Sequence, residues 1–256
     1  MTRRIRLITE TLARPAALDT AVSRALLQQV GDGTEPETLR LHRPTRITAF
    51  GPQDLRAPGY AKAVHVSIAG GFVPVARLAG GRAAVFHEDT IAFSWAIPIK
   101  DPREDIHGRF QELAGLMQAA FLRLGVDARV GEVMGEYCPG AYSVNARGAV
   151  KLMGVGQRLI GKAAHVGGVV VVAGSEHVRN ILVPVYEALD LAWDPATAGS
   201  LADEIPGTTY ADAQQAVIDS FAGSYGLYEG TLSAETLALA ESFAPDHAVD
   251  LTALAS

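Results

Sequence analysis

Residues 166–173 read VGGVVVVA, a run with no polar side chain on either face. A strand of that kind must be covered on both sides, so it calls for a central place in a sheet with further layers against it. The wider apolar stretch, 163–173, carries His165 and falls far short of the ~20 residues that a membrane-spanning helix needs. A chain of 256 residues is long enough to build such a sheet as one large domain or two small ones.

The pattern on either side of this strand alternates between strand and helix. RIRLIT at 4–9 alternates basic and apolar residues, as a half-exposed strand does, and Leu18, Val22, Ala25, Leu26 and Val30 recur at helical spacing before Gly31 and Gly33. TLRLHRP and RITAF read as short strands flanking Pro44, 59–69 as a helix stopped by Gly70, and VPVAR, AVF and TIAFSWAIPI (90–99) as further strands. Ile106, Phe110, Leu113, Met117, Phe121 and Leu124 form the apolar stripe of a helix over 104–125. Strand pieces follow at 128–133, 141–146 and 149–155, then helices over 178–191, 209–223 and 233–243, with 192–208 as the expected linker. Strands joined by short turns predict antiparallel or mixed pairing. The expected architecture is α/β (α+β): a mixed, largely antiparallel sheet flanked by helices. The expected organisation is one α/β domain over 1–205 with a helical C-terminal extension, 206–256, packed on it.

Lys and Arg total 22 against 28 Asp and Glu, a net charge of -6, which lacks the basic footprint of a general nucleic-acid binder. The single cysteine, Cys138, excludes an internal disulfide and a cysteine-based zinc site, and MTRRIRLITETLARP has basic charge without the apolar core of a signal peptide. A cytoplasmic protein with no membrane and no nucleic-acid partner is expected, with a monomer as the default.

Three segments carry chemistry, each with two readings. In RLAGGRAAV (77–85), Gly80 and Gly81 let the backbone approach a ligand and Arg77 or Arg82 neutralise an anion there, or the glycines only turn a hairpin. In GEYCPGAYSVN (135–145), Cys138 precedes Pro-Gly and therefore lies on a loop, as a nucleophile or as an inert small hydrophobe. In GAVKLMGVGQR (148–158), strand alternation turns Lys151 away from Val150 and Leu152, into a pocket or into water, and Gly154 and Gly156 again allow close approach. His87, in a polar turn, and His165, before the apolar strand, are each able to assist Cys138 if the fold brings them together. There is no P-loop, GxGxxG, HExxH or GxSxG.

In this order the three segments resemble the lipoate/biotin protein ligase superfamily. RLAGGRAAVFH is similar to that family's Arg-x-x-Gly-Gly loop with its following Val-x-His, and KLMGVGQR to its Lys-aliphatic-x-Gly-x-x-Gln-Arg strand. LRLHRPTRITAFG looks like the family's opening strands, and the resemblance covers about 15–205. GEYCPGAYSVN resembles the loop of the cysteine-dependent lipoyl-relay octanoyl/lipoyl transferases, more than that of lipoate-protein ligase A. Ala79 stands where relatives carry Ser or Thr, and HVGG at 165–168 departs from their His-Gly-Ser/Thr, so no role is carried to His165.

The resemblance implies the fold of the biotin/lipoate ligase catalytic domain. It implies an acyltransferase that moves an octanoyl or lipoyl group, through a cysteine thioester, from a carrier to a lysine of a lipoyl domain. Cys138 is then the nucleophile and Lys151 the pocket lysine near the acyl carbonyl. Arg77, Gly80, Gly81, His87, Gly154 and Gln157 bind substrate. The implied partners are the glycine-cleavage H protein and the acyltransferase subunits of 2-oxoacid dehydrogenases, with acyl carrier protein as a further donor. No metal and no cofactor are implied. The alternatives are an ATP-dependent lipoate-protein ligase forming lipoyl-AMP, which would need ATP and Mg, and a non-catalytic lipoyl-binding protein. A generic cysteine hydrolase would need a histidine beside Cys138.

Overall fold

A computed structural model describes residues 3–12, 15–101 and 105–252. The apolar run becomes the middle of strand β10 (Ala163–Val171), which lies between β6 (Thr90–Pro98) and β9 (Val150–Ile160), antiparallel to both. The sheet has eight strands in the order β11-β1-β2-β6-β10-β9-β8-β7, where β1 is Arg4–Ile8, β2 Thr38–His42, β7 Ala128–Val130, β8 Val144–Ala146 and β11 Gly226–Glu229. β1 pairs parallel with β2 and β11, and the remaining neighbours are antiparallel. This is the mixed, largely antiparallel sheet expected from the sequence.

Helices cover both faces. On one, α3 (Ile106–Arg123) and α6 (Tyr210–Ala222) press Met117, Phe121 and Phe221 against Trp95 and Phe93 of β6. On the other, α1 (Ala16–Asp32) lays Leu18, Val22, Leu26 and Val30 over Ala96 and Ala163. The apolar stripes read from the sequence are the faces that pack here. A second sheet, β4-β3-β5 (Val73–Ala76, Ile47–Phe50 and Ala84–Phe86), shares a third core with α2 (Tyr60–Ala69) and α4 (Ser175–Ala188), built on Phe50, Val64, Val85, Leu182 and Val185.

The structure changes three expectations. Residues 206–256 are not wholly helical: between α6 and α7 (Ala234–His247) the chain forms β11, which pairs with β1 at the sheet edge, while α7 packs along α1. The region 192–208 is not a free tether, because Ala198 bridges to Lys151 and the Ala202 amide bonds the Val172 carbonyl across the sheet. It also holds the short helix α5 (Leu201–Glu204), opened by a capping box between Ser200 and Asp203. Strand β9 continues five residues beyond 155, since Gly154 and Gly156 lie inside it rather than ending it. Residue 104, at the start of the predicted third helix, lies outside the described residues.

Strand β9 outruns its outer neighbour. β8 pairs with β9 only at Val150, Lys151 and Met153, with a bulge between, and from Gly154 onward β9 has β10 on one side alone. A bulge re-aims the side chains around it. Lys151, Leu152 and Met153 are all buried in succession, where plain alternation would bury every second one.

Among the described residues no helix is long and apolar enough to cross a membrane.

In the central strand β10, Gly168 is demanded by backbone contact. A Cβ on Gly168 would stand 1.9 Å from the Gly154 carbonyl oxygen, which is fixed by strand pairing. Gly168→Ala is expected to lower stability by about 3 kcal/mol, the upper end of the overpacking range. Thermal denaturation against the parent chain measures it, and an unchanged Tm would mean the strands separate without cost.

Candidate active site

The loop that carries Cys138 runs from β7 to β8 over residues 131–143. It is closed at its base by the Gly131 amide on the Ser143 carbonyl, at 2.9 Å. Its interior is organised by Glu136, a carboxylate only 3% exposed. One Glu136 oxygen accepts from the Gly140 amide (3.1 Å), the Ser143 hydroxyl (2.7 Å) and Lys151 Nζ (3.0 Å). The other accepts from the Val133 amide at 3.1 Å. Four donors on one buried carboxylate satisfy it fully and fix the turn around it.

Lys151 is 1% exposed and completes this arrangement from β9. Besides Glu136 it donates to the carbonyls of Tyr137 (3.0 Å) and Cys138 (2.8 Å). An ammonium has three N–H donors, and all three are taken. Its charge also sits 4.9 Å from the centre of the Tyr137 ring. The pocket reading of Lys151, rather than the surface one, is the arrangement found.

Cys138 itself has φ +43°, a conformation rare outside glycine, held by partners on both sides of the peptide. Its amide donates to the Tyr186 hydroxyl at 2.8 Å, and that hydroxyl donates to the Ala83 carbonyl at 3.0 Å, so α4 links the cysteine loop to the Gly-Gly loop. The sulfur accepts the Arg82 amide at 3.2 Å and lies 3.8 Å from Arg77 Nη1. An amide and a guanidinium directed at a sulfur stabilise negative charge on it.

The Gly-Gly loop is shaped around this sulfur. Gly81 has φ +108°, and a Cβ on it would meet Cys138 Sγ at 2.9 Å and Arg77 Nη1 at 3.1 Å. Arg77 Nη1 also donates to the Arg82 carbonyl at 3.0 Å, and the Arg82 guanidinium reaches Asp54, at 3.3 Å. Gly156 keeps β9 bare beneath the loop, since a Cβ there would stand 3.0 Å from Ala79 Cβ and Arg77 Nη2.

A cavity of about 290 Å³ opens between these two loops and the unpaired part of β9. This is close to the lower end of the ~300–1,000 Å³ typical of small-molecule sites. Arg77, Gly80, Gly81, Cys138, Lys151, Gly154 and Gln157 all line it, so seven candidates separated by up to 80 positions in the chain share one wall. Phe86, Phe110, Val155 and Val169 make the rest of the lining largely apolar. Gln157 is held in place by α3, accepting from Arg109 Nε at 2.8 Å and donating to the Ile106 carbonyl at 3.1 Å.

His87 is the one candidate that the structure places elsewhere. It is fully buried under Gly174, its ring 5.2 Å from that of His177, and it does not line the cavity. Burial, with His177 beside it, pushes its pKa down to about 4. His165 lines a smaller adjoining cavity of about 80 Å³ with Asp19, His42 and Arg77. Burial and the Arg77 charge bring its pKa to about 4 as well. Among the described residues no histidine lines the cavity that holds Cys138, which removes the base that a cysteine hydrolase would use.

The sequence reading missed Glu136 and Tyr186. Glu136 stands two positions before Cys138, and a carboxylate inside a segment with Val133 and Tyr137 was the available signal. Its pairing with Lys151, fifteen positions on, is set by the fold. Tyr186, 48 positions from Cys138, had no local signal at all.

Residues 15–222 match the family described as the lipoyl protein ligase A/B catalytic domain. An octanoyl-GcvH:protein N-octanoyltransferase from an Exiguobacterium species is 33% identical over 122 residues, 48% of this chain and 43% of that protein. The same enzyme from Lysinibacillus sphaericus is 26% identical over 163 residues, 64% of this chain and 58% of its own length. The chain thus spans about half the length of the curated relatives it matches. Among solved structures, a bipartite lipoate protein ligase from Thermoplasma acidophilum superposes with a TM-score of 0.74 at 16% identity, covering 95% of this chain and 92% of that one. At that identity the likeness is one of fold.

His87 and His165 are two of the buried histidines, and near neutral pH both are uncharged in the folded chain. Unfolded, they titrate near 6.5; folded, near 4. Between those values the unfolded chain binds protons that the folded one does not, so stability falls as the pH drops from about 6.5 to about 4 and levels off below. His165→Gln should flatten that slope relative to the parent. Tm measured across this range checks it, and an identical slope in the variant would mean His165 does not contribute.

Proposed function

The chain belongs to the lipoyl protein ligase A/B catalytic-domain family, and on that basis we propose that it is a cysteine-dependent acyltransferase that moves an octanoyl or lipoyl group from a carrier onto a lysine of a lipoyl domain. One observation carries the reading: the Cys138 sulfur lines a largely apolar cavity while the Arg82 amide and the Arg77 guanidinium approach it at 3.2 and 3.8 Å.

In the first half-reaction the Cys138 thiolate attacks the carbonyl carbon of the donor acyl group. The bond from that carbon to the carrier breaks, the leaving group takes up the proton that the Cys138 thiol released, and a thioester remains on the enzyme. Splitting transfer between two large proteins into two steps at one nucleophile is what covalent catalysis offers. Arg77 is the cation beside the oxygen on which charge develops. Lys151, with its three donors on Glu136 and the carbonyls of Tyr137 and Cys138, acts in this reading by holding the nucleophile's loop rather than by polarising the acyl carbonyl.

The acyl chain occupies the cavity along β9, where Val155, Val169 and Phe86 supply apolar contact. Each buried methylene contributes ~0.8 kcal/mol, which makes an eight-carbon chain distinguishable from a short one. The far end extends toward the smaller cavity, which shares Arg77, Phe86 and Gly168 with the first. The relatives' names supply the partner class: an octanoyl group on GcvH, the glycine-cleavage H protein, as donor and another protein as acceptor. Lipoyl domains of 2-oxoacid dehydrogenases are the further acceptors of this kind. Acyl exchange of this type consumes no nucleotide, and a thiol kept reduced suits the cytoplasm.

Intact mass after incubation with octanoylated H protein tests the reading. One octanoyl group on the parent chain, released by hydroxylamine and absent from Cys138→Ala, is the expected result. Arg77→Ala should slow adduct formation by about 10²-fold. No adduct on the parent, with lipoylation of a lipoyl domain that depends on ATP, would make the protein a ligase instead.

A further inference from the structure

Cys138 faces more than the acyl cavity. A second cavity, of about 450 Å³, reaches it between the cysteine loop, the Gly-Gly loop and the end of α4. The two cavities share only Gly81, Cys138 and Pro139, so these residues form the partition between them. The second is the more polar, with Gln53, Arg82, Glu132 and Glu136 on its wall. An octyl chain placed there would strip water from these groups without replacing their hydrogen bonds.

The charges on that wall are not equivalent. Arg82 is paired with Asp54 at 3.3 Å, and Glu136 with Lys151 at 3.0 Å. Glu132 is exposed and has no ion pair or hydrogen bond to its carboxylate among the described residues. Met134, between the lining residues Glu132 and Gly135, projects 92% exposed. An unpaired carboxylate at the rim of a cavity that ends on a nucleophile suits a cation on a long, slender stem.

We propose that this second cavity receives the side chain of the acceptor lysine, drawn in by Glu132, so that the acyl chain and the incoming amine meet the thioester from different sides of Cys138. The inference rests on the reading of Cys138 as the acyl carrier. A lysine arrives as an ammonium at neutral pH and loses one proton to solvent before it can react. Its nitrogen then bonds to the thioester carbonyl carbon, the C–S bond breaks, and the sulfur keeps the electron pair and takes up the second nitrogen proton. The amide leaves on the acceptor and the thiol is restored.

The two half-reactions separate the possibilities. A small octanoyl thioester, octanoyl-N-acetylcysteamine, loads Cys138 without a protein donor, and intact mass follows the adduct. Discharge is then measured on adding a lipoyl domain with a free lysine, for the parent, Glu132→Lys and Ala192→Trp, the last narrowing the cavity at its exposed rim. Discharge to the lipoyl domain is expected to fall about tenfold or more in both variants, as a like charge or a steric block at a binding rim produces. In Glu132→Lys the loss should shrink at high ionic strength. Hydroxylamine, small and uncharged, should discharge all three loaded proteins at the same rate. Unchanged discharge to the lipoyl domain, or a parallel fall with hydroxylamine, overturns the inference. Failure of the parent chain to load at all overturns the reading beneath it, a result distinct from either of these.

Discussion

The ion pair between Glu136 and Lys151 is the interaction on which the site depends. Both groups are almost wholly buried, and neither would be tolerable there alone. Breaking such a pair by removing one partner costs about 3–5 kcal/mol, because the other charge remains out of water. The pair also sets geometry. Glu136 gathers two loop amides and a hydroxyl, while Lys151 pins two consecutive carbonyls, the second being that of Cys138. A cysteine with positive φ does not hold that shape by itself, so the charge pair fixes where the sulfur stands.

The space in front of that sulfur comes from mismatched strand lengths. β9 runs on after β8 has ended, and Gly154 and Gly156 leave two positions of the unpaired stretch without side chains. Where most sheets would add another strand, this one leaves a gap lined by the Gly-Gly loop on one side and α3 on the other. Gly156 leaves room there for the Arg77 guanidinium, whose Nη2 a Cβ would meet at 3.0 Å. Pocket, nucleophile and cation thus follow from one local departure from regular pairing.

Much of this was legible in the residues because it is periodic or local. The apolar stripes of α1 and α3 and the both-faced run of β10 announced their partners. The Gly-Gly loop, the Cys-Pro-Gly loop and the lysine strand each carried a short pattern, and the fold brings them to one wall. What was not legible is set by distance or by hidden geometry. Gly154 and Gly156 read as places of close approach, but no alternation past them showed that β9 runs on to Ile160. His87 stood next to the right loop in sequence, yet it turns into the core toward His177. β11 is short and only half-buried, so no alternation marked it, and its place beside β1 depends on a partner more than two hundred positions away.

That last pairing has a consequence for how the molecule comes into being. β1 leaves the ribosome more than two hundred residues ahead of its outer neighbour β11, and parallel pairing admits no hairpin shortcut. Until residues 226–229 have been synthesised, the outer edge of β1 stays open, its backbone groups ready to pair with any strand that offers itself. Pairing across so long a stretch is slow and waits on the synthesis of β11. During that interval a nascent chain with the cysteine loop already made still lacks a finished sheet, and it is then that chaperone capture or edge-to-edge association competes with folding.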